Sequence, residues 1–274
     1  MSHFIGNEVN SATPYRTTLL TLTGELHFVV ANRIDSDISI GASIQDGHYV
    51  MVYVNANVHS IIKNNLLTYT LPAGHQPDPL DPLTASLGVG RVAIVDVLAT
   101  NKAAVVENNT IDYGMDADTI TYKTDSGVIE TDSAITVRNN VVVNTTRDLV
   151  GFTNADAETN SVVEFNLCDN VIAEMCGADD DVIGDALFVD NDDYMAAAGS
   201  AAIDSGDPDG VFNDVDGTRN DLGVYGGTFP LDQYDVQRND GRLEPYLYPL
   251  FEPNKAVSSD GKLNVGVVGL ARSK

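Results

Sequence analysis

Val105-Val-Glu-Asn108-Asn-Thr110 and Thr136-Val-Arg-Asn139-Asn-Val141 share one pattern: a β-branched run, an asparagine corner, then a second run. Earlier copies are Phe4-Ile-Gly-Asn7-Glu-Val9, Val29-Val-Ala-Asn32-Arg-Ile34 and Ile61-Ile-Lys-Asn64-Asn-Leu66; a degenerate one follows at Val163-Glu-Phe-Asn166-Leu-Cys168. The asparagines Asn7, Asn32, Asn64, Asn108, Asn139 and Asn166 follow at steps of 25, 32, 44, 31 and 27 residues, a solenoid-like period with insertions. Segments such as Tyr49-Val-Met-Val-Tyr-Val54 and Val92-Ala-Ile-Val-Asp-Val97 are Val/Ile-rich and lack helical periodicity, so the repeat unit is made of strands. Asn tolerates the left-handed backbone a sharp corner needs, and its amide can bond the asparagine of the next coil. A column of stacked asparagines is therefore expected.

The composition agrees with a folded chain. At 274 residues with 43% hydrophobic content there is enough apolar side chain to fill a core. Against 15 Lys+Arg stand 40 Asp+Glu, a formal charge of -25, which repels phosphate backbones and argues against nucleic-acid partners. No apolar run approaches the roughly 20 residues that span a bilayer, so membrane insertion is not expected. Cys168 and Cys176 do not form a CxxC pair, which leaves two free thiols or one local disulfide. Met1 to Val9 shows neither the basic nor the apolar region of a secretory leader.

From Asn166 the chain carries Ile183-Gly-Asp-Ala-Leu-Phe-Val-Asp190, Asp193-Tyr-Met-Ala-Ala-Ala-Gly-Ser-Ala-Ala-Ile-Asp-Ser-Gly206 and Asp214-Val-Asp-Gly-Thr-Arg-Asn-Asp-Leu-Gly-Val-Tyr-Gly-Gly227. This resembles the C-terminal signature of secreted bacterial right-handed parallel β-helix proteins of pectate-lyase-like architecture. Ala186 and Ala201 replace the prolines usual there, and Val224 stands where alanine is common. The resemblance implies secretion and an all-β, right-handed parallel β-helix (solenoid) with a C-terminal cap. It does not imply an activity, because that family contains lyases, hydrolases, epimerases and non-catalytic modules. The expected division is coils over 1–177, a capping segment over 178–227 and a tail over 228–274 with a final strand near Leu263–Leu270. Leu187, Phe188, Val189, Ile203, Leu222, Val224 and Tyr225 are expected to cover the last coil, and Arg219 to pair with neighbouring aspartates. Residue 4 already reads as a rung with no capping helix before it, so the chain is expected to continue a longer protein or to be capped by another subunit.

Chemistry is concentrated in three places. Asp207, Asp209, Asp214 and Asp216 are the calcium candidates, since closely spaced carboxylates and turn carbonyls supply hard oxygens. The EF-hand spacing fails there, and a solvated acidic surface or Asx turns account for the same residues. Lys123 and Arg147, with Asp116 and Asp118 nearby in sequence, are the catalytic candidates for a lyase that takes a proton beside a uronate carboxylate. Ordinary surface charge accounts for these too. Tyr49 and Tyr53, bracketed by His48 and His59, share one side of a strand and offer a sugar-stacking face. Two functions are open: an extracellular protein that binds or cleaves polysaccharide or cell-surface glycan, with calcium-assisted lysis as one form, and a non-catalytic structural, adhesion or self-assembling surface module.

Overall fold

The alternation of short β-branched runs with asparagine corners produces strands that pair only with their equivalents one repeat away. The computed structural model describes residues 2–11, 18–37, 49–70, 92–97, 104–112, 128–144, 148–152, 155–169, 176, 179–190, 192–233, 246–249 and 267–270. Met1–Asp235 and Val236–Lys274 are separate compact units.

In the first unit the strands are β1 (Ser2–Ile5), β2 (Glu8–Ser11), β3 (Thr18–Val30), β4 (Arg33–Asp37), β5 (Tyr49–Lys63), β6 (Leu66–Thr70), β7 (Val92–Val97) and β8 (Ala104–Glu107). They continue as β9 (Thr110–Asp112), β10 (Ile129–Thr131), β11 (Ile135–Arg138), β12 (Val141–Val143), β13 (Val150–Phe152), β14 (Val162–Glu164), β15 (Leu167–Asp169) and β16 (Val182–Ile183). One short helix, α1 (Ala155–Asn160), precedes β14. No helix among the described residues is long and apolar enough to cross a membrane.

Two sheets result, one of nine strands and one of seven, and every pairing within them is parallel. In the larger sheet β5 pairs through Tyr49–Val54 with β7 and through Ser60–Lys63 with β8, and β3 shifts register between Gly24 and Leu26. Each full repeat therefore supplies three strand positions, two to the nine-stranded sheet and one to the seven-stranded sheet across the asparagine corner. The fold is all-β and stacked, as the repeat spacing requires.

Inward side chains form columns through the stack. Val29, Ile62, Val106 and Val137 are in register on one side, and Ile34, Leu67, Ile111 and Val142 on the other, all essentially without exposure. Full burial of each such side chain is worth about 1.5–3 kcal/mol. Cys168 continues the second column and is disulfide-bonded to Cys176; the next member, Ile183, is 60% exposed where the stack ends.

The corner differs from the expected one in a specific way: two adjacent residues divide the work. Gly6, Ala31, Asn64, Asn108, Asn139 and Phe165 take left-handed φ values of 53–64°. The residue after each one builds the ladder, so the column is Asn7, Asn32, Asn65, Asn109, Asn140, Asn166 and Asp181, not one passing through Asn64, Asn108 and Asn139. In each step the backbone N–H and side-chain amide of one member both donate to the Oδ1 of the next, at 2.7–3.2 Å. The amides of Asn32, Asn65, Asn109, Asn140 and Asn166 also donate to Phe4, Val29, Ile62, Val106 and Val137 carbonyls. These five asparagines are completely buried, so the polar groups interior packing would orphan satisfy one another.

Phe165 is the one bulky residue at a left-handed corner. An L-residue other than Gly or Asn costs about 1–2 kcal/mol there. Phe165→Asn is therefore expected to raise stability by about 1 kcal/mol, and a urea titration showing no gain would mean that side-chain contacts of Phe165 offset the strain.

In the second unit, β17 (Tyr246–Pro249) pairs antiparallel with β18 (Val267–Leu270), placing the expected final strand at the latter.

Candidate functional site

The left-handed asparagines turn their amides toward the C-terminal segment. Asn64 donates to the Val224 and Gly226 carbonyls, and Asn108 to Asn220 Oδ1 and the Asp221 and Gly223 carbonyls. Asn139 Oδ1 accepts from the Asp207 N–H, and the Val224 N–H donates to Thr110 Oγ1. A side chain on Gly226 would meet the Asp221 carbonyl at 1.7 Å and one on Gly223 would meet Thr110 Oγ1 at 2.6 Å, so glycine is what lets this strap lie flat on the corners. The contacts of the segment run along the flank from Asp169, which accepts from the Ala186 N–H, to Arg33. Leu222 and Val224 are buried by it, while Leu187, Val189 and Ile203 stay exposed.

Immediately before the corners, Lys63, Glu107, Arg138 and Glu164 occupy successive rungs in register. Lys63 Nζ donates to Glu107 Oε1 at 2.5 Å and lies 5.5 Å from the Phe229 ring centroid. Arg138 donates to Asp207 Oδ2 at 3.3 Å, reaches Glu164 at 3.9 Å and stacks 4.6 Å from the Phe212 ring centroid. Across the other sheet, Tyr194 donates its hydroxyl to Asp112 Oδ2 at 2.5 Å, while Asn144 donates to Asp112 Oδ1 at 2.9 Å. Thr68, between Asp35 and Asp112 in register, donates to Asp35 at 2.9 Å. Burial, then the Asp112 hydrogen bond and the charges of Asp112, Asp35 and Asp192, hold the Tyr194 hydroxyl far above its ordinary range, so it is a fixed donor. Arg33 closes this end of the strap on the Asp192 carbonyl at 2.6 Å and Asp193 Oδ1 at 3.0 Å.

Of the expected calcium residues, Asp207 lies on Arg138 and accepts from the Asp209 N–H, and Asp209 accepts from the Val211 N–H. Asp214 accepts from the Asp221 and Gly227 N–H groups, and Asp216 from Thr218. The set therefore splits between two places, each carboxylate serving as a turn or backbone acceptor. No three His, Cys, Asp or Glu side chains converge among the described residues. Arg219 donates to the Gly206 and Ser205 carbonyls, not to the aspartates expected. Lys123, Arg147, Asp116 and Asp118 lie outside the described residues, as does His48; Tyr49, Tyr53 and His59 lie on β5, their side chains outside the description. The charged column and the tyrosine–aspartate contact were not anticipated, although aligning the repeats on their corners reads Lys, Glu, Arg, Glu directly from the sequence.

One buried group stands apart. His27 has no exposure, lies in register with Ser60 and Ala104, and neither its ring nitrogens nor Ser60 Oγ has a hydrogen-bond partner. Burial lowers its pKa below the ordinary 6.5. The native state therefore keeps His27 neutral while the unfolded state takes up a proton below about pH 6.5, so stability is full above that pH and falls as the solution is acidified toward the lowered native value. His27→Leu is expected to add about 1–3 kcal/mol at neutral pH and to flatten the decline between about pH 6.5 and 5. Equal pH slopes for the two proteins in urea titrations would remove His27 as the cause.

Comparison with protein-family models, with curated proteins and with solved structures finds no match to this chain.

Proposed function

We propose that the chain is a right-handed parallel β-helix acting outside the cell as a structural or adhesion module, its stacked coils presenting an outer sheet face and strand edges to other macromolecules. The observation that carries this reading is where the charge goes. Among the described residues Arg33, Lys63 and Arg138 are paired with carboxylates of a neighbouring strand or the strap, and Arg219, exposed on the strap, is turned to the Gly206 and Ser205 carbonyls. The outer face of β3, β5, β8, β11 and β14 instead carries the column Phe28, Ile61, Val105, Thr136 and Val162, with the His3 ring stacked 5.0 Å from that of Phe28. Of this column Val162 is 43% exposed, while Phe28, under the His3 ring, is 8% exposed. The Cys168–Cys176 disulfide and the acidic composition support an oxidising, extracellular setting, as does the resemblance of the C-terminal signature to secreted β-helix proteins.

The test is absorbance of unsaturated uronide during incubation with alginate, pectate and glycosaminoglycans, with calcium and then with chelator. No rise is expected on any polymer. A calcium-dependent rise abolished by Lys123→Ala or Arg147→Ala would make the chain a lyase and overturn this reading.

One observation favours the second reading, calcium-dependent engagement of polysaccharide. Burial and the charges of Asp221 and Asp216 push the Asp214 carboxyl up to about 6, despite two backbone donors. Native stability from this group is fullest below its ordinary 3.8 and declines as pH rises through about 6, where the partly buried carboxyl ionises. A cation bound at Asp214 would favour the ionised carboxylate that burial disfavours. Under this reading calcium raises Tm more at pH 7 than at pH 5, and Asp214→Ala abolishes the difference; a calcium-independent Tm at both pH values removes the reading.

A further inference from the structure

One inward column of the larger sheet carries a polar pair. On β3, β5, β8 and β11 the positions two residues before Val29, Ile62, Val106 and Val137 share their inward face. In register they read His27, Ser60, Ala104 and Ile135, at 0, 1, 1 and 2% exposure. His27 and Ser60 thus stand on adjacent strands, about 4.8 Å apart. Neither bonds the other, and His27 Nδ1, His27 Nε2 and Ser60 Oγ all lack a hydrogen-bond partner in the protein. These atoms share one stretch of interior beside Ala104, the smallest side chain of the column. A buried polar group with no partner is costly and uncommon, so a pair of such side chains in register marks a place that something other than the chain completes.

We propose that His27 and Ser60 form an internal binding site for a water molecule, which bridges the imidazole on β3 to the hydroxyl on β5. The chemistry of the two side chains selects this occupant. Burial keeps the imidazole neutral, so one ring nitrogen donates and the other accepts, and the serine hydroxyl does both. The occupant must therefore donate, accept and carry no charge. A metal ion needs more ligands than this pair offers, and no three His, Cys, Asp or Glu side chains converge among the described residues. An anion would give up its hydration for two donors and meet an accepting ring nitrogen as well. Water needs at least about two polar partners in an interior, and the pair supplies them. The bridge links side chains of adjacent rungs inside the stack, as the asparagine ladder does at the corner. Its release to solvent is part of the gain expected of His27→Leu. The site stands independently of what the outer face contacts.

The test is magnetic cross-relaxation between water and the isotope-labelled full chain, read at the amides of His27, Ser60 and Ala104 and at the His27 ring protons. Cross-peaks to a long-lived water are expected at these positions. Ser60→Ala and His27→Leu each remove one partner, and each is expected to abolish the peaks at the sites that remain. Relaxation dispersion of oxygen-enriched water counts long-lived waters without any contribution from the serine hydroxyl, and each variant is expected to hold one fewer than the parent. If one variant does not fold, the parent spectra and the other variant decide. Absence of the cross-peaks in the parent overturns the proposal, and so does a water count that neither variant changes. A scalar coupling between the Ser60 hydroxyl and a His27 ring nitrogen overturns it too, because it would show the two side chains bonded directly and the site dry.

Discussion

Asn109→Leu is expected to lower stability by about 3–5 kcal/mol, enough to unfold a domain of ordinary stability at moderate temperature. Asn109 is completely buried in the middle of the ladder. Its Oδ1 accepts from the N–H and amide of Asn65 at 2.9 Å each, and its amide donates to Asn140 Oδ1 at 3.0 Å and to the Ile62 carbonyl at 2.9 Å. Leucine has a similar volume, so little of the loss comes from packing. The cost arises because the Asn65 N–H and the Ile62 carbonyl are left in the interior where water does not replace the lost partner, at about 1–3 kcal/mol for each orphaned group. Asp181→Asn is the matched control. Asparagine still accepts both bonds from Asn166, so a loss well below that of Asn109→Leu is expected. Urea unfolding followed by circular dichroism measures both, and a loss below about 1 kcal/mol for Asn109→Leu would mean that the ladder is geometric decoration on a stack held by its apolar columns.

The two substitutions also show how much of this architecture is legible in the sequence. Asparagine recurring between β-branched runs exposes the corners, and the corner spacing sets which strands pair, so the parallel stack is readable without coordinates. The division of the corner is not, because Asn64-Asn65, Asn108-Asn109 and Asn139-Asn140 are identical letters with opposite duties. Only Gly6, Ala31 and Phe165, at the equivalent first position in the other copies, break the tie. They are not asparagine, so the ladder must belong to the position after them. The strap was harder to anticipate. Its glycines and aspartates look like a calcium loop, yet what fixes them is the spacing between coils: Asn64 meets Val224 and Gly226, Asn108 meets Asn220, and Arg138 meets Asp207, contacts that exist only once the coils are stacked. Arg219 illustrates the same limit, since the aspartates near it in sequence do not reveal that its guanidinium turns to the Gly206 and Ser205 carbonyls.

Glu107→Leu is expected to destabilise by about 3–5 kcal/mol, whereas the double variant Lys63→Met with Glu107→Leu is expected to recover most of that loss. Glu107 is 1% exposed on β8, and Lys63, one rung earlier, has a side chain that is 14% exposed and capped by the Phe229 ring. Removing the carboxylate strands an ammonium beside an apolar ring with little access to water, and that uncompensated charge is the larger part of the expected loss. Two apolar side chains of similar length restore packing without any charge to desolvate, because the attraction in a buried pair roughly balances the cost of burying it. The double-mutant cycle should give a coupling energy above about 2 kcal/mol, outside the range of exposed pairs. Amide exchange separates stability from the strap's attachment: if Phe229 is held mainly by Lys63, the Leu222–Leu231 segment should open more readily in both variants, including the recovered double. Protection unchanged in the double variant would assign the hold on the strap to Asn64 and Asn108, whose amides grip its backbone at Val224, Gly226, Asp221 and Gly223.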